Sequence, residues 1–526
     1  MTAGDGHRMA VRWSRVAPLV CAAIVLGTIL TLHSAQPAGV FWDDGVYLIS
    51  ARSIAMGDGY AFAHLPGAPA AVHFPPVWPL LLAGVWWLAP DFPANLAIFA
   101  VVNPLLAALA AGLTCAYAMD RARLAPVVAV VVTTVFALTL PVLALNGVLF
   151  AEPLFLVVAV VALMAGDRAT DVGGARNALF AGLAVGVAVL TRSTAIALIP
   201  ALMAALLIAR RPREAVTAAA AAGSMVIPWM AWSAARAGEL AEPLRGNYGP
   251  YLSWFGDAVI ERGPGFVAEI ARQNLVSIER SFAVVFFPVG VRELRPLLLA
   301  LLCVAVALGV RALWSRARTL TLFALFYAIM VIVWPYTPDR FAWAVWPLVG
   351  VFVAAGAQAA WGLVTRESAI GPRVAAAVVF AVACLAIAGD AFYSARGVSR
   401  GWVDVAQRRN GARLAPTVDW VARNTTLDDI IACDGEPLVH LYTGRRVVPV
   451  HVLSPAEHLA GTPVQQAADD LRALLVAGDA DYAVLSARSV GLHAASLLGA
   501  GSGSPWLSPV DTLPGGGVAF RVDRSP

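Results

Sequence analysis

Lysine is absent from the 526 residues of this chain, so all 37 basic residues are arginines. Neither a lysine Schiff base nor a P-loop lysine is therefore available. Charged residues of both signs are also scarce, at 13% of the chain, and the formal net charge is only +4. This balance excludes a nucleic-acid-binding protein that relies on a basic surface.

Cysteine is rare as well, with five residues in the whole chain. Four of them lie inside apolar runs, and Cys433 alone lies in a polar region. No pair has the C-x-x-C spacing. The sequence therefore offers neither a disulfide framework nor a zinc site built on thiolates.

What the chain has in excess is apolar surface. Hydrophobic residues make up 60% of the sequence, and the mean hydropathy is +0.74. A water-soluble protein of this length could not bury so much apolar surface around a core, which indicates an integral membrane protein. Apolar runs of roughly 20 residues predict about eleven spanning helices. Their centres lie near residues 25, 106, 135, 159, 184, 201, 226, 305, 328, 352 and 383.

Arginine residues concentrate at one end of the predicted spans, and this bias indicates the topology. The arginines of the short connecting loops fall on the cytoplasmic side if the N-terminus is cytoplasmic. An odd number of spans then leaves the C-terminus outside the cell. The first span also resembles a signal peptide, with a weak small-x-small site at residues 34–38. We favour a retained helix, because its removal would upset the sorting of charge. The predicted location is a bacterial cytoplasmic membrane.

Three long external segments follow from this topology. Residues 35–91 include a short apolar stretch, residues 77–89, that predicts a helix lying at the membrane interface. Residues 238–295 form the second segment. Residues 395–526 have the composition of a soluble domain, so residues 1–394 are predicted as the polytopic α-helical membrane domain.

Within residues 395–526 the pattern alternates and predicts a small α/β domain. The expected helices are residues 417–424 and 464–477, and the expected strands are residues 429–433, 446–452 and 481–486. Residues 499–517 are rich in glycine, serine and proline and predict a loop.

Carboxylates stand at the outer ends of two predicted spans. Asp43 and Asp44 follow the first span, and Glu152 stands in the sequence Ala-Glu-Pro before another. Each also fits a structural interpretation, since an acidic residue in the first turn of a helix caps it and meets the positive end of its dipole. An ionisable residue at a membrane boundary is nevertheless a functional-site hypothesis. We expect Asp43 and Glu152 to share one external cavity.

Cations are predicted on the same face. Arg192 and Arg340 each stand beside an apolar run. An arginine at this depth commonly snorkels to a lipid head group, which is the alternative interpretation. Two arginines on the face that holds the carboxylates favour an anionic lipid substrate, because a guanidinium group matches phosphate in bidentate fashion.

The order of these features resembles the GT-C glycosyltransferases, and within them the protein O-mannosyltransferases and the aminoarabinose transferases of lipid A. The segments that carry the resemblance are residues 42–47, 56–60, 74–80, 151–155, 190–192, 339–341 and 346–347, with residues 419–425 and 441–446 in the C-terminal domain. Each segment is short, and it is their order and topology that make the match specific.

The resemblance implies transfer of a sugar from a polyprenyl-phosphate donor to a lipid, glycan or protein at the outer face of the membrane. It assigns Asp43 as the catalytic base, Asp44 as its acidic neighbour and Glu152 as a second acidic position. Arg192 and Arg340 fall where the family places cations near the lipid-linked phosphate.

The chain departs from the family at one position. Aminoarabinose transferases carry a lysine in the Phe-Pro-Pro region, where this sequence has Pro75. His73 is the expected substitute for that phosphate contact. Three aromatic residues of the external segments, Tyr47, Tyr60 and Tyr248, are further candidates for contact with the substrate.

Two questions stay open at this stage. Asp43, Asp44 and Glu152 supply hard oxygen ligands that suit Mg²⁺ or Mn²⁺, yet the family divides on metal dependence. The main rival function is a transporter or flippase of lipid-linked saccharides. A transporter favours ionisable residues near the middle of the membrane and broken helices in matching halves, whereas here the charges collect at one face.

Overall fold

The computed structural model describes residues 3–33, 37–289, 292–498 and 506–523. The helices, in chain order, are α1 (Ala3–Leu32), α2 (Asp43–Met56), α3 (Val77–Leu88), α4 (Leu96–Arg121), α5 (Pro126–Ala137), α6 (Leu140–Asn146), α7 (Glu152–Asp171), α8 (Ala175–Thr191), α9 (Leu198–Ile208), α10 (Pro212–Arg236), α11 (Arg245–Tyr248), α12 (Tyr251–Arg262), α13 (Pro264–Phe286), α14 (Arg295–Leu313), α15 (Arg318–Val333), α16 (Asp339–Ala344), α17 (Trp346–Arg366), α18 (Ile370–Ser399), α19 (Val405–Asn424), α20 (Glu436–Thr443), α21 (Val464–Ala477) and α22 (Ala487–Leu498). The strands are β1 (Ile430–Cys433), β2 (Arg446–Val448), β3 (Tyr482–Leu485), β4 (Leu507–Leu513) and β5 (Gly517–Val522). Short 3-10 helices cover Ser193–Ala197, Ala237–Glu239, Glu242–Leu244, Arg292–Leu294 and Pro455–His458.

A helix covers every one of the predicted span centres. In the described ranges, seven helices are long and apolar enough to cross a membrane. An eighth span is formed if α5 and α6, which bend by 68° at their junction, count as one. The predicted centres near residues 184, 201 and 328 fall in shorter apolar helices. Helices dominate because each satisfies its own backbone hydrogen bonds where no water is present.

The contacts divide the chain into two units. Unit 1 holds residues 1–33, 101–227 and 270–403, and unit 2 holds residues 34–100, 228–269 and 404–526. Unit 2 thus combines the whole of the first predicted external segment, part of the second and the C-terminal residues from 404 onward. The predicted domain boundary between residues 394 and 395 stays a prediction.

Unit 1 is a helical bundle whose core is built mainly from alanine, valine and leucine. One of its close helix crossings joins α14 and α17. A Cβ atom built on Gly356 would stand 1.9 Å from the carbonyl oxygen of Ala305, and one on Gly309 would stand 2.2 Å from that of Phe352. Small residues of this kind let helix backbones approach where no hydrophobic force drives them together.

Unit 2 contains a five-stranded sheet of order β2-β1-β3-β5-β4. Strand β1 pairs in parallel with β2 and β3, and β5 pairs antiparallel with β3 and β4. Apolar clusters cover both faces of the sheet. Helix α21 has the predicted bounds, and strands β1 to β3 lie within the predicted ranges, although β2 ends earlier, at Val448.

Two predictions for this region are wrong in extent. Helix α19 begins at Val405 rather than near residue 417, with Pro416 inside it. The predicted loop over residues 499–517 contains β4, which turns through Gly515 and Gly516, both at positive φ, into β5. Pro509 is tolerated because β4 is an edge strand with an irregular register at that point. Residues 499–505 lie outside the described ranges.

The crossing of α14 and α17 generates a first test. Gly356→Ala places a methyl group against the backbone of Ala305 and should lower the free energy of unfolding by about 1–3 kcal/mol. Gly362→Ala, in the same helix, is the matched control, since nothing lies within 4 Å of its Cβ position. The measurement is the apparent melting temperature of the purified protein in detergent. Equal melting temperatures for the two variants would contradict this packing.

Candidate functional site

Three of the predicted site residues meet in unit 1. Glu152 begins α7 and is 3% exposed. The Nη1 atom of Arg192 lies 2.8 Å from its Oε1 atom, and the Nε–H group of Arg340 donates to that same oxygen. A single buried carboxylate oxygen therefore binds two guanidinium groups that stand far apart in the sequence.

The local sequence explains why these side chains converge. Pro153 occupies the first turn of α7, where a missing N–H group costs nothing, and Glu152 beside it meets the positive end of the helix dipole. Arg192 has an extended backbone (φ −153°, ψ 126°) that separates α8 from the following 3-10 helix. Arg340 is the second residue of the short helix α16, which begins directly after Pro338.

Aromatic rings cover the flat faces of both arginines. The Cζ atom of Arg340 lies 3.7 Å from the centroid of Phe150, and that of Arg192 lies 5.3 Å from the centroid of Phe341. Stacking of this kind fixes the guanidinium planes and leaves their N–H edges for anionic partners. With Glu152 ionised, the cluster carries one net positive charge.

A small apolar cavity adjoins this cluster at Glu152. Its described lining is almost entirely apolar, and Glu152 is the charged residue among them. The Oε2 atom of Glu152 is buried and has no hydrogen-bond partner in the described parts of the chain. An unpaired buried carboxylate oxygen is costly, which makes the cluster a candidate site for a ligand.

The predicted acidic pair lies in unit 2, at the start of α2. Asp44 is buried, and its Oδ2 and Oδ1 atoms accept hydrogen bonds from the backbone N–H groups of Gly39 (2.6 Å) and Phe41 (2.9 Å). Burial raises the pKa of Asp44 to about 6. The carboxylate thus holds the turn that precedes α2, whereas the side-chain cap that the structural interpretation expected at the start of this helix is not formed. Its assignment to catalysis stays a prediction.

Asp43, the first residue of α2, is half-buried and close enough to His73 for its charge to raise the pKa of that imidazole. Burial has the larger, opposite effect and lowers the pKa of His73 to about 4. His73 is therefore neutral at pH 7, and its Nδ1–H group donates to the carbonyl oxygen of Gly249 at 2.8 Å. The neutral ring lacks the charge of the lysine that aminoarabinose transferases carry in this region, and contact of His73 with phosphate stays a prediction.

Glu436, in unit 2, is a residue that sequence reasoning missed. Its Oε1 atom accepts hydrogen bonds from the indole Nε1–H of Trp42 (2.7 Å) and the hydroxyl of Tyr248 (2.9 Å). Burial raises the pKa of Glu436 to about 7. Trp42 precedes the acidic pair and has a positive φ of 72°, so this contact holds a strained backbone in place. The available signal was the sequence Glu-Pro at a helix start, which Glu152 shares.

The predicted aromatic contacts have internal partners in unit 2. The hydroxyl of Tyr60 donates to the carbonyl oxygen of Phe74 at 2.9 Å. The ring of Tyr47 is buried, 4.5 Å from that of Phe74. The hydroxyl of Tyr248 donates to Glu436 and accepts from His64. These contacts give the three tyrosines a structural role, and their contact with substrate stays a prediction.

Binding of Mg²⁺ or Mn²⁺ stays a prediction. Across the described ranges, no group of three or more histidine, cysteine, aspartate or glutamate side chains has a geometry that would hold an ion. The oxygens of Asp44 accept backbone hydrogen bonds, and its part in a metal site stays a prediction. Asp43 and Asp44 lie in unit 2 and Glu152 in unit 1, so a shared cavity for Asp43 and Glu152 stays a prediction.

Solved structures share this fold along nearly the whole chain. The crystal structure of ArnT from Cupriavidus metallidurans bound to undecaprenyl phosphate has a TM-score of 0.52 and 15% identity, and covers 97% of this chain and 98% of that chain. The apo structure of the same protein has a TM-score of 0.51 and 17% identity over the same shares. No family model and no curated protein matches the sequence. At this identity the likeness shows the fold alone, and it confirms the predicted polytopic α-helical fold with a small C-terminal α/β domain.

The contacts of Glu436 generate a second test. Glu436→Ala leaves the buried donors of Trp42 and Tyr248 without an acceptor, which should cost about 1–3 kcal/mol for each donor. Glu436→Gln keeps an acceptor oxygen and should cost much less. Asp419→Ala removes an exposed carboxylate of the same unit and is the control, since a surface ion pair contributes little. Thermal unfolding followed by tryptophan fluorescence measures the difference. A Glu436→Ala protein as stable as the Asp419→Ala protein would contradict this role.

Proposed function

We propose that this chain is an inverting glycosyltransferase of the bacterial cytoplasmic membrane. It moves a hexosyl or pentosyl unit from a polyprenyl-phosphate donor to a lipid, glycan or protein acceptor at the outer face. The observation that carries the proposal is the pair of guanidinium groups of Arg192 and Arg340 beside an apolar cavity. The likeness of the fold to ArnT, solved with undecaprenyl phosphate, supports it.

The arginine pair suits the donor phosphate. A guanidinium group stays charged under any local field and presents a fork of N–H donors that matches phosphate oxygens. The stacked rings of Phe150 and Phe341 hold the two groups before any ligand arrives. The apolar lining of the neighbouring cavity suits a polyprenyl chain. Preorganised donors of this kind stabilise the negative charge that develops on a departing phosphate.

The transfer step needs a base for the acceptor. In the proposed reaction the oxygen of an acceptor hydroxyl attacks the anomeric carbon of the donor sugar while Asp43 takes the hydroxyl proton. The bond between the anomeric carbon and the phosphate oxygen breaks, and polyprenyl phosphate leaves with the bonding electron pair. Attack opposite the leaving group inverts the anomeric centre. The step requires no further reactant.

The outer face is the proposed location because arginine concentrates in the short loops at the other ends of the predicted spans. In this orientation the N-terminus is cytoplasmic and the C-terminus is extracytoplasmic. The residues assigned to the reaction, Asp43, Arg192 and Arg340, then lie on the side away from the cytoplasm.

The base assignment generates a third test. Asp43→Asn removes the proton acceptor with little change of shape and should lower the transfer rate by about 10²–10⁴-fold. Asp58→Asn, an exposed aspartate of the same external segment, is the matched control and should retain activity. The assay follows labelled sugar from polyprenyl-phosphate donors into product in isolated membranes. Unchanged transfer by Asp43→Asn would reject the base, and no transfer by the wild type from any donor would favour transport.

The phosphate ligands generate a fourth test. Arg340→Ala removes one preorganised donor group and should lower kcat/KM for the donor by about 10²-fold. Arg366→Ala, at the exposed end of α17, is the control. The amount of folded protein in the membrane is measured in parallel by size-exclusion chromatography. A loss of folded protein as large as the loss of activity would make Arg340 a structural residue.

A further inference from the structure

We propose that Glu152 sets the charge of the arginine pair so that the site holds the singly charged donor phosphodiester more tightly than the more highly charged phosphomonoester product. This inference rests on the proposed function and adds a means of product release. Glu152 is here a specificity-determining residue that acts through its charge.

The geometry makes Glu152 part of the phosphate site rather than a distant neighbour. Its Oε1 atom receives both guanidinium groups, one at 2.8 Å from Arg192 and a second hydrogen bond from Arg340. Any phosphate bound by these two arginines therefore lies within a few ångströms of the carboxylate. Burial of Glu152 at 3% exposure means that little solvent screens its charge.

The phosphodiester and the phosphomonoester differ in how well their charges match the charge of the site. Two arginines and one ionised glutamate sum to +1, which a phosphodiester of charge −1 neutralises. A phosphomonoester carries about −1.5 to −2 at pH 7, so its binding leaves a buried negative excess next to Glu152. Like charges held together in a buried site destabilise each other strongly. A pair of arginines without the glutamate would have the opposite preference.

The second carboxylate oxygen strengthens the argument. Glu152 lines the cavity, and its Oε2 atom is buried with no hydrogen-bond partner in the described ranges. The contacts of the two arginines are with Oε1. An oxygen in this state repels a further anionic oxygen and accepts a hydrogen bond from a hydroxyl group. Sugar hydroxyls are present on the donor and absent from the released lipid phosphate.

A purely structural role for Glu152 predicts something different. If the carboxylate served only to hold α7, α8 and α16 together, its replacement would lower stability and weaken the binding of both lipids alike. The charge-matching role predicts a change in the ratio of the two affinities. This ratio is insensitive to the fraction of protein that is folded.

The experiment compares two probes on the full chain in detergent. Undecaprenyl phosphate is the monoester probe and undecaprenyl methyl phosphate is the diester probe, with each Kd measured by native mass spectrometry. The wild type should bind the diester more tightly. Glu152→Gln should strengthen the binding of the monoester relative to that of the diester by at least about 10-fold. Asp120→Asn, which removes the same charge at an exposed position of unit 1, should leave the ratio unchanged.

The outcomes separate the two proposals. If the wild type binds both lipids but prefers the monoester, the inference is overturned while the proposed function stands. An unchanged ratio in Glu152→Gln has the same meaning. If the wild type binds neither lipid, the proposed function fails and the inference fails with it. The wild-type comparison decides the matter even if Glu152→Gln does not fold.

Discussion

One buried carboxylate between two guanidinium groups organises the membrane-embedded part of this protein. Glu152 joins the start of α7 to Arg192 at the break after α8 and to Arg340 in α16. Removal of Glu152 from this cluster would leave two guanidinium groups without their shared carboxylate, and uncompensated buried charge of this kind is strongly destabilising. The cluster therefore fixes three separate helix ends, and it does so at the edge of an apolar cavity. Structure and proposed chemistry depend on the same contacts.

A second set of buried carboxylate hydrogen bonds fixes the start of α2 in unit 2. Trp42 has a positive φ, Asp44 holds the preceding turn, and Glu436 receives the indole N–H of Trp42. A Cβ atom on Gly45 would stand 2.5 Å from that of Pro437, so α20 leaves no room for a side chain there. Helix α20, in the C-terminal part of the chain, thus packs directly against the start of α2. In both units a Glu-Pro pair begins a helix and its carboxylate accepts donors from distant segments.

The sequence predicted the features that are local or that depend on hydrophobicity. Apolar runs located the helices, and the rule that ionisable residues at a membrane boundary serve a purpose singled out Glu152, Arg192 and Arg340. The role of Glu436 could not be predicted, because it depends on contacts across nearly four hundred residues. The β4–β5 hairpin was missed because turn glycines and an edge-strand proline dominate its composition. His73 was expected to replace a cation, but burial, which no local pattern reveals, keeps it neutral.

The central claim is that Arg192 and Arg340 bind the phosphate of a lipid carrier. A cryo-electron microscopy structure of the full chain with undecaprenyl phosphate in lipid nanodiscs tests it most directly. We expect phosphate density within hydrogen-bond distance of both guanidinium groups, with the polyprenyl chain entering the apolar cavity beside Glu152. Phosphate bound elsewhere on the chain, with both arginines still bonded to Glu152, would contradict the claim.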